Sequence, residues 1–228
     1  MIEELKMQSM KSLWKLVFED EDGFIDYYFQ KYDSEKTRVI RNLPEEVVAQ
    51  MHMHNFKDWT TFGSYIYGVA THPEYRGRGL ARKIIAESFQ RMYREGVEYA
   101  LLIAEEESLR GWYGTMDFVL RNGIISVHGE EDGMNFGMDD NTLNRGMYRV
   151  VNILKHMQRY AHENPSRYSL FGVDDAMVPD NTGVYSVKDG NVTFFPGLPD
   201  FATISPARII ESFPVSYTKT IEIPYANK

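Results

Sequence analysis

The sequence predicts an α/β domain built on a mixed sheet, followed by a smaller α+β segment. Three observations carry this. Residues 64–104 run as buried strand, glycine-rich turn, amphipathic helix and buried strand, the order of a right-handed crossover joining parallel strands. Two strand-like runs flank Pro44, so an antiparallel hairpin precedes that unit. Residues 129–146 then hold four glycines and five acids, after which short helical and strand-like runs resume.

Taken in order, residues 11–18 and 23–32 read as short amphipathic helices separated by the acidic turn 19–22. Residues 37–43 and 46–54 read as the hairpin, the second strand alternating and half buried. Residues 64–71 (SYIYGVAT) form the clearest buried strand. Residues 80–95 form a helix whose Leu80, Ile84, Ile85, Phe89 and Met92 make one apolar stripe, and Gly96 ends it. Residues 98–104 are a further buried strand, 106–114 a short helix, and 116–120 and 124–128 later strands. Beyond the loop, 148–161 reads as a second amphipathic helix. Strands follow at 168–174, 183–188 and 191–195, the last two joined by Asp189-Gly190. A helix over 203–213, capped by Ser205 with Pro206 in its first turn, precedes an edge strand over 216–223.

The chain has 228 residues, 43% of them apolar, enough for a core without covalent staples. It has no cysteine, which removes disulfides, thiolate metal sites and a cysteine nucleophile. No apolar run reaches the length of a membrane span, and the acidic N-terminal residues do not read as a signal peptide. A cytoplasmic protein that does not associate with membranes is therefore expected. The net charge of −8 argues against a general nucleic-acid binder and suits a cationic partner.

The segment Val69-Ala70-Thr71-His72-Pro73-Glu74-Tyr75-Arg76-Gly77-Arg78-Gly79-Leu80-Ala81 joins the buried strand to the long helix. Glycines let backbone approach an anion, and the first amides of a helix lack intrahelical acceptors, so the turn reads as a phosphate cradle with Arg76, Arg78 and Arg82 around it. The P-loop and dinucleotide fingerprints do not fit, because the Lys-Ser/Thr pair and the third glycine are missing. Arg76-Gly77-Arg78-Gly79-Leu80-Ala81 resembles the R/Q-x-x-G-x-G/A signature of the GCN5-related N-acetyltransferases (GNAT). Trp112-Tyr113-Gly114-Thr115-Met116-Asp117-Phe118 is similar to that family's later Y-x-x-x-G-F element, with Asp117 in place of the usual glycine. The resemblance covers roughly residues 10–128.

It implies the GNAT fold, a mostly antiparallel twisted sheet flanked by helices, over 1–132. It also implies acetyl-CoA as co-substrate and transfer of the acetyl group to a primary amine, on a small molecule or a lysine, by direct attack in a ternary complex. Val69, Ala70, Thr71, Arg76, Gly77, Arg78, Gly79, Leu80, Ala81 and Arg82 would bind the cofactor. The Val69 amide would polarise the thioester carbonyl. Tyr113 would be the general acid.

Met147-Tyr148-Arg149-Val150, then Val173-Asp174-Asp175 with Pro179-Asp180-Asn181-Thr182-Gly183-Val184-Tyr185, carry a narrower resemblance to the enhanced-intracellular-survival type, which implies a sterol-carrier-like α+β domain over 147–228 after a linker at 133–146, with no room for that type's middle domain. In that type the terminal carboxylate enters the active site, here that of Lys228, a candidate base. Glu105 and Glu106 also follow a strand of the unit, but read more simply as acids at a helix start. Phe24, Tyr28, His52 and His54 would border the acceptor cleft. Each also has a plain reading, as core aromatics or as one face of a half-exposed strand. No metal site is expected, because the two histidines lack a third ligand. A homo-oligomer is open. The rival reading is a non-catalytic CoA- or lipid-binding module on a degenerate scaffold.

Overall fold

The computed structural model describes residues 2–30, 36–42, 46–57, 62–104, 106–120 and 146–215. The expected strands at 124–128 and 216–223, most of the linker, Glu105 and Lys228 lie outside them. The elements are α1 (Ile2–Phe18), α2 (Asp22–Gln30), β1 (Thr37–Arg41), β2 (Val47–Lys57), β3 (Phe62–Thr71), α3 (Leu80–Glu95), β4 (Tyr99–Ile103), α4 (Glu107–Gly114), β5 (Val119–Leu120), β6 (Gly146–Val150), α5 (Ile153–Glu163), β7 (Ser169–Val173), β8 (Gly183–Lys188), β9 (Asn191–Pro196), β10 (Thr203–Ile204) and α6 (Pro206–Ser212). No helix among the described residues is long and apolar enough to cross a membrane.

The strands make a six-stranded mixed sheet, ordered β1-β2-β3-β4-β6-β5, and a four-stranded sheet, ordered β10-β7-β8-β9. In the first, β1 and β2 pair antiparallel as the hairpin pattern predicts, and β3 and β4 pair parallel across the α3 crossover. In the second, Asp189 and Gly190 both take positive φ, 51° and 75°, the conformation a two-residue hairpin between β8 and β9 requires.

Three expectations are corrected. α1 begins at residue 2 rather than 11, because the apolar spacing continues upstream through Met7 and Met10, which pack with Leu13 and Trp14. β2 is buried on both faces: Val48, Gln50 and His52 are covered as fully as Val47, Ala49, Met51 and Met53. The segment 148–161 is not one helix, and β6, expected beyond the domain boundary, pairs antiparallel with β4 inside the first sheet. All five β6 residues are buried. That leaves no solvent face for a surface helix there, and the helix starts only after Asn152, whose side chain caps it by accepting from the Lys155 amide at 3.1 Å.

The chain packs as two compact units. One comprises Met1–His54 and Ile66–Ser88. Its core gathers Met10, Leu13 and Trp14 of α1, Ile25, Tyr28 and Phe29 of α2, Val47 and Ala70. The other comprises Asn55–Tyr65 and Phe89–Pro224. Its core includes Phe89, Met92, Leu101, Met116, Phe118, Val150, Met157, Tyr185 and Ile210. One fully buried ion pair lies there: Arg149 on β6 reaches Asp175 at 2.6 Å, and both side chains are 0% exposed.

Candidate active site

β3 does not run straight into the glycine turn. Gly68 sits at φ 56°, and a Cβ there would lie 2.5 Å from the Trp14 ring and 3.1 Å from His52. Only glycine satisfies both the backbone angle and that contact. The pairing of β3 with β4 covers Gly63–Tyr65, while β3 itself continues to Thr71. Past the Gly68 kink, Val69 is half buried and Ala70 is buried in the α1–α2 core.

The turn that follows is braced by its own side chains. Pro73–Tyr75 form one 3-10 turn, and the His72 side chain accepts from the Glu74 amide at 3.3 Å. Arg76 donates from Nε to the Thr71 carbonyl at 3.3 Å, and Arg78 donates to the Glu74 carbonyl at 3.0 Å. The Arg78 guanidinium also lies 4.8 Å from the centre of the Tyr75 ring. Asn42 and Glu46 hold the Tyr75 hydroxyl. Gly77 and Gly79 take φ 75° and 74°, and the space where their Cβ atoms would project is empty of protein within 4 Å. The loop backbone is thus bare where α3 begins, and no acid occupies the first turn of the helix. The amides of Leu80, Ala81 and Arg82 open a 16-residue helix, with the dipole favouring an anion at this end. This geometry fits a pyrophosphate: exposed cations, bare backbone and a helix N-terminus in sequence.

Tyr113 belongs to the other unit, near the end of α4. It is 7% exposed, between Trp112 and Phe118 at ring-centre distances of 4.8 and 5.7 Å. Burial pushes its phenol up to about 12. Asp117, the departure from the family pattern, sits at φ 64°. Aspartate is among the few residues that tolerate this region, so the turn normally made by glycine is kept.

Of the residues expected at the acceptor cleft, His52 is buried among Trp14, Tyr28 and Phe29 and bonds Thr37 Oγ1 at 3.0 Å. His54 bonds the Tyr28 hydroxyl at 2.9 Å and lies against Tyr67. Burial pushes His52 down to about 3, assisted by His54, and His54 down to about 4, assisted by Lys36. Phe24 is partly buried against the same cluster. Glu106 is the residue preceding α4 and accepts from Ser108 at 3.0 Å, in keeping with an acid at a helix start. The sequence reading missed Gly68 as a kink, although a glycine inside a strand is the recognised signal. It also missed the burial of Arg149, whose signal is a lone charge in an apolar run.

The family profile described as acetyltransferase (GNAT) domain matches residues 1–120. The chain belongs to the GNAT acetyltransferase family. Solved structures agree on the fold. A GCN5-related N-acetyltransferase from Anabaena variabilis is 14% identical, with a TM-score of 0.62, over 90% of this chain and 86% of that one. Eis1 from Mycobacterium abscessus is 8% identical, with a TM-score of 0.62 and the same coverage. A GCN5-related N-acetyltransferase from Kribbella flavida is 12% identical, with a TM-score of 0.62, over 88% and 83%. At these identities the likeness is one of fold. Comparison with the curated proteins gives no match. The GNAT match includes both the RGRGLA turn and the Tyr113–Phe118 element.

Proposed function

We propose that this GNAT protein transfers the acetyl group of acetyl-CoA to a primary amine by direct attack in a ternary complex. The observation that carries the reading is the bare, positively charged backbone turn over Gly77 and Gly79 at the start of α3. Residues 76–82 would hold the pyrophosphate. Val69, Ala70 and Thr71 would offer main-chain groups to the pantetheine arm, and the Val69 amide would polarise the thioester carbonyl as an oxyanion-hole donor does. Orientation of the two reactants then supplies much of the rate.

Tyr113 is our candidate for the acid. A buried phenol pushed up to about 12 stays protonated across the neutral range and can donate its hydrogen to a departing thiolate. An alkylamine with pKa near 10.4 must lose a proton before it attacks. The terminal carboxylate of Lys228 is the candidate base, by family resemblance. Tyr28, His54 and Phe24 are candidates for the acceptor wall. Neutral imidazoles there would not repel a cationic amine. The region from α5 to α6 is our candidate for a sterol-carrier-like domain, supported by its own four-stranded sheet and by helices α5 and α6.

Calorimetric titration with acetyl-CoA, against 3′-dephospho-CoA and ATP, tests the cofactor. Selective micromolar binding supports it, and equal weak binding of all three reduces the turn to a generic anion site. Thiol release with an amine panel tests transfer, and Tyr113→Phe tests the acid. Turnover should drop on the order of 10²-fold with CoA affinity kept. Unchanged turnover removes Tyr113 from the role.

A further inference from the structure

Arg78 is the cation of the turn that its own backbone constrains least. It is exposed and lies between Gly77 and Gly79, both at positive φ. A long, flexible cation in such a place gives up much rotamer freedom when a ligand fixes it. Yet its guanidinium is already held: it donates to the Glu74 carbonyl at 3.0 Å and lies 4.8 Å from the centre of the Tyr75 ring. Tyr75 is in turn fastened at both ends. Its amide donates to the His72 carbonyl at 2.8 Å, and the His72 ring meets its ring edge-on, centres 5.6 Å apart. Its hydroxyl accepts from Asn42 and donates to the Glu46 carboxylate at 3.4 Å. Asn42 directly follows β1 and Glu46 directly precedes β2. Those two residues are bonded to each other, Asn42 amide to Glu46 carbonyl at 2.9 Å and Asn42 Nδ2 to the Glu46 carboxylate at 3.0 Å. The His72 amide donates to the Val48 carbonyl of β2 at 2.9 Å. All of these residues belong to one compact unit.

We propose that Tyr75 is a positioning residue for cofactor binding, a brace that carries the rigidity of the β1–β2 hairpin to the Arg78 guanidinium before the cofactor arrives. This rests on the reading of residues 76–82 as the pyrophosphate cradle. The chain of contacts is continuous: hairpin strands, the Asn42 and Glu46 pair, phenol hydroxyl, ring face, guanidinium. A phenol that donates to a carboxylate is polarised toward a richer ring, and a cation is drawn to such a face. Glu46 therefore supports the arginine through the ring, without neutralising it by a direct ion pair. Holding a flexible side chain in its bound position removes an ordering cost that binding would otherwise meet. The hairpin thereby contributes to cofactor affinity without contacting the cofactor.

The test is calorimetric titration of the full chain with acetyl-CoA. Tyr75→Leu removes the ring, and Tyr75→Phe keeps the ring and removes the hydroxyl. Arg78→Met and the double variant Tyr75→Leu with Arg78→Met complete a cycle. We expect Tyr75→Leu to weaken acetyl-CoA binding about 3- to 10-fold, the ordering cost of one long side chain. Tyr75→Phe should stay within about threefold of the unaltered protein, because the ring still meets the guanidinium. In the Arg78→Met background Tyr75→Leu should cost nothing further, since its effect runs through the arginine. An equal loss in both backgrounds means general damage to the loop and overturns the proposal. Full affinity in Tyr75→Leu also overturns it, and tight binding by the unaltered protein then leaves the cradle reading standing. Absence of acetyl-CoA binding by the unaltered protein overturns the cradle reading itself, and the proposal with it.

Discussion

Acidification from pH 7 to pH 5 should destabilise the unit containing the two buried histidines, and the size of the loss follows from their surroundings. An imidazole in the unfolded chain titrates near 6.5, whereas burial holds His52 near 3 and His54 near 4 in the fold. The unfolded chain therefore binds more protons than the folded one throughout this window. Stability rises with pH wherever that holds, so it is lost as pH falls below 6.5 and continues to fall toward pH 4. At pH 5 each ring is charged when unfolded and neutral when folded, a cost of about 2 kcal/mol apiece, or about 4 kcal/mol for the pair, relative to neutral pH. Ordinary carboxylates titrate lower and add little here. Urea denaturation at pH 7 and pH 5 measures the loss. His52→Phe suits the ring cluster, although it strips Thr37 of its partner, and should remove about half of the pH dependence. His52 and His54 imidazole resonances titrating near pH 6.5 in the folded protein, or equal acid sensitivity in His52→Phe, would refute the reasoning.

Other outcomes follow from the same geometry. Gly68→Ala forces a side chain into a left-handed backbone and against Trp14, 2.5 Å away, so it should cost about 2–4 kcal/mol in thermal or chemical denaturation and weaken acetyl-CoA binding; a neutral effect would mean that β3 need not kink. Gly77→Ala and Gly79→Ala meet no protein atoms, yet each imposes a positive-φ cost of about 1–2 kcal/mol. They should reduce CoA affinity more than their small stability loss accounts for, as read by calorimetry. Arg149→Met leaves Asp175 buried without its cation and should cost about 3–5 kcal/mol, by urea titration. Turnover should show no alkaline limb assignable to Tyr113 below about pH 11, since burial pushes its phenol up to about 12; a limb near pH 9 that vanishes in Tyr113→Phe would contradict its burial.

What the sequence discloses and what it hides divide along physical lines. Local signals were enough for α3, whose apolar stripe lies between Gly79 and Gly96, and for the Asp189-Gly190 hairpin, whose turn chemistry is confined to two residues. The strand–turn–helix order around the glycines was legible because it is contiguous: strand end, turn and helix start lie within fourteen residues of chain. β6 was not, because its burial comes from β4 and β5 on either side, and a short apolar run with one arginine reads equally as helix or strand. The neutrality of His52 and His54 was equally hidden, since it depends on Trp14, Tyr28 and Phe29 arriving from two helices. Asp117 is the instructive case. By sequence it was a defect in a motif. In the fold its positive φ, 64°, preserves the turn that glycine would make.

The arginines of the turn show how an acidic chain can keep a locally cationic loop. The net charge is −8, so any attraction for the phosphates of the proposed cofactor must be local to the turn. Arg76 and Arg78 satisfy loop carbonyls, which fixes the turn, and their charge remains beside the bare glycine backbone. Lysine would retain the charge but lose the directed Nε donor of Arg76 and the guanidinium of Arg78 over the Tyr75 ring. The positive field is therefore a by-product of the groups that shape the loop, and shape and charge cannot be altered separately. The acidic remainder, including the turn at 19–22, leaves the protein's surface favourable to a cationic amine, so the two proposed reactants are attracted by opposite parts of one charge distribution.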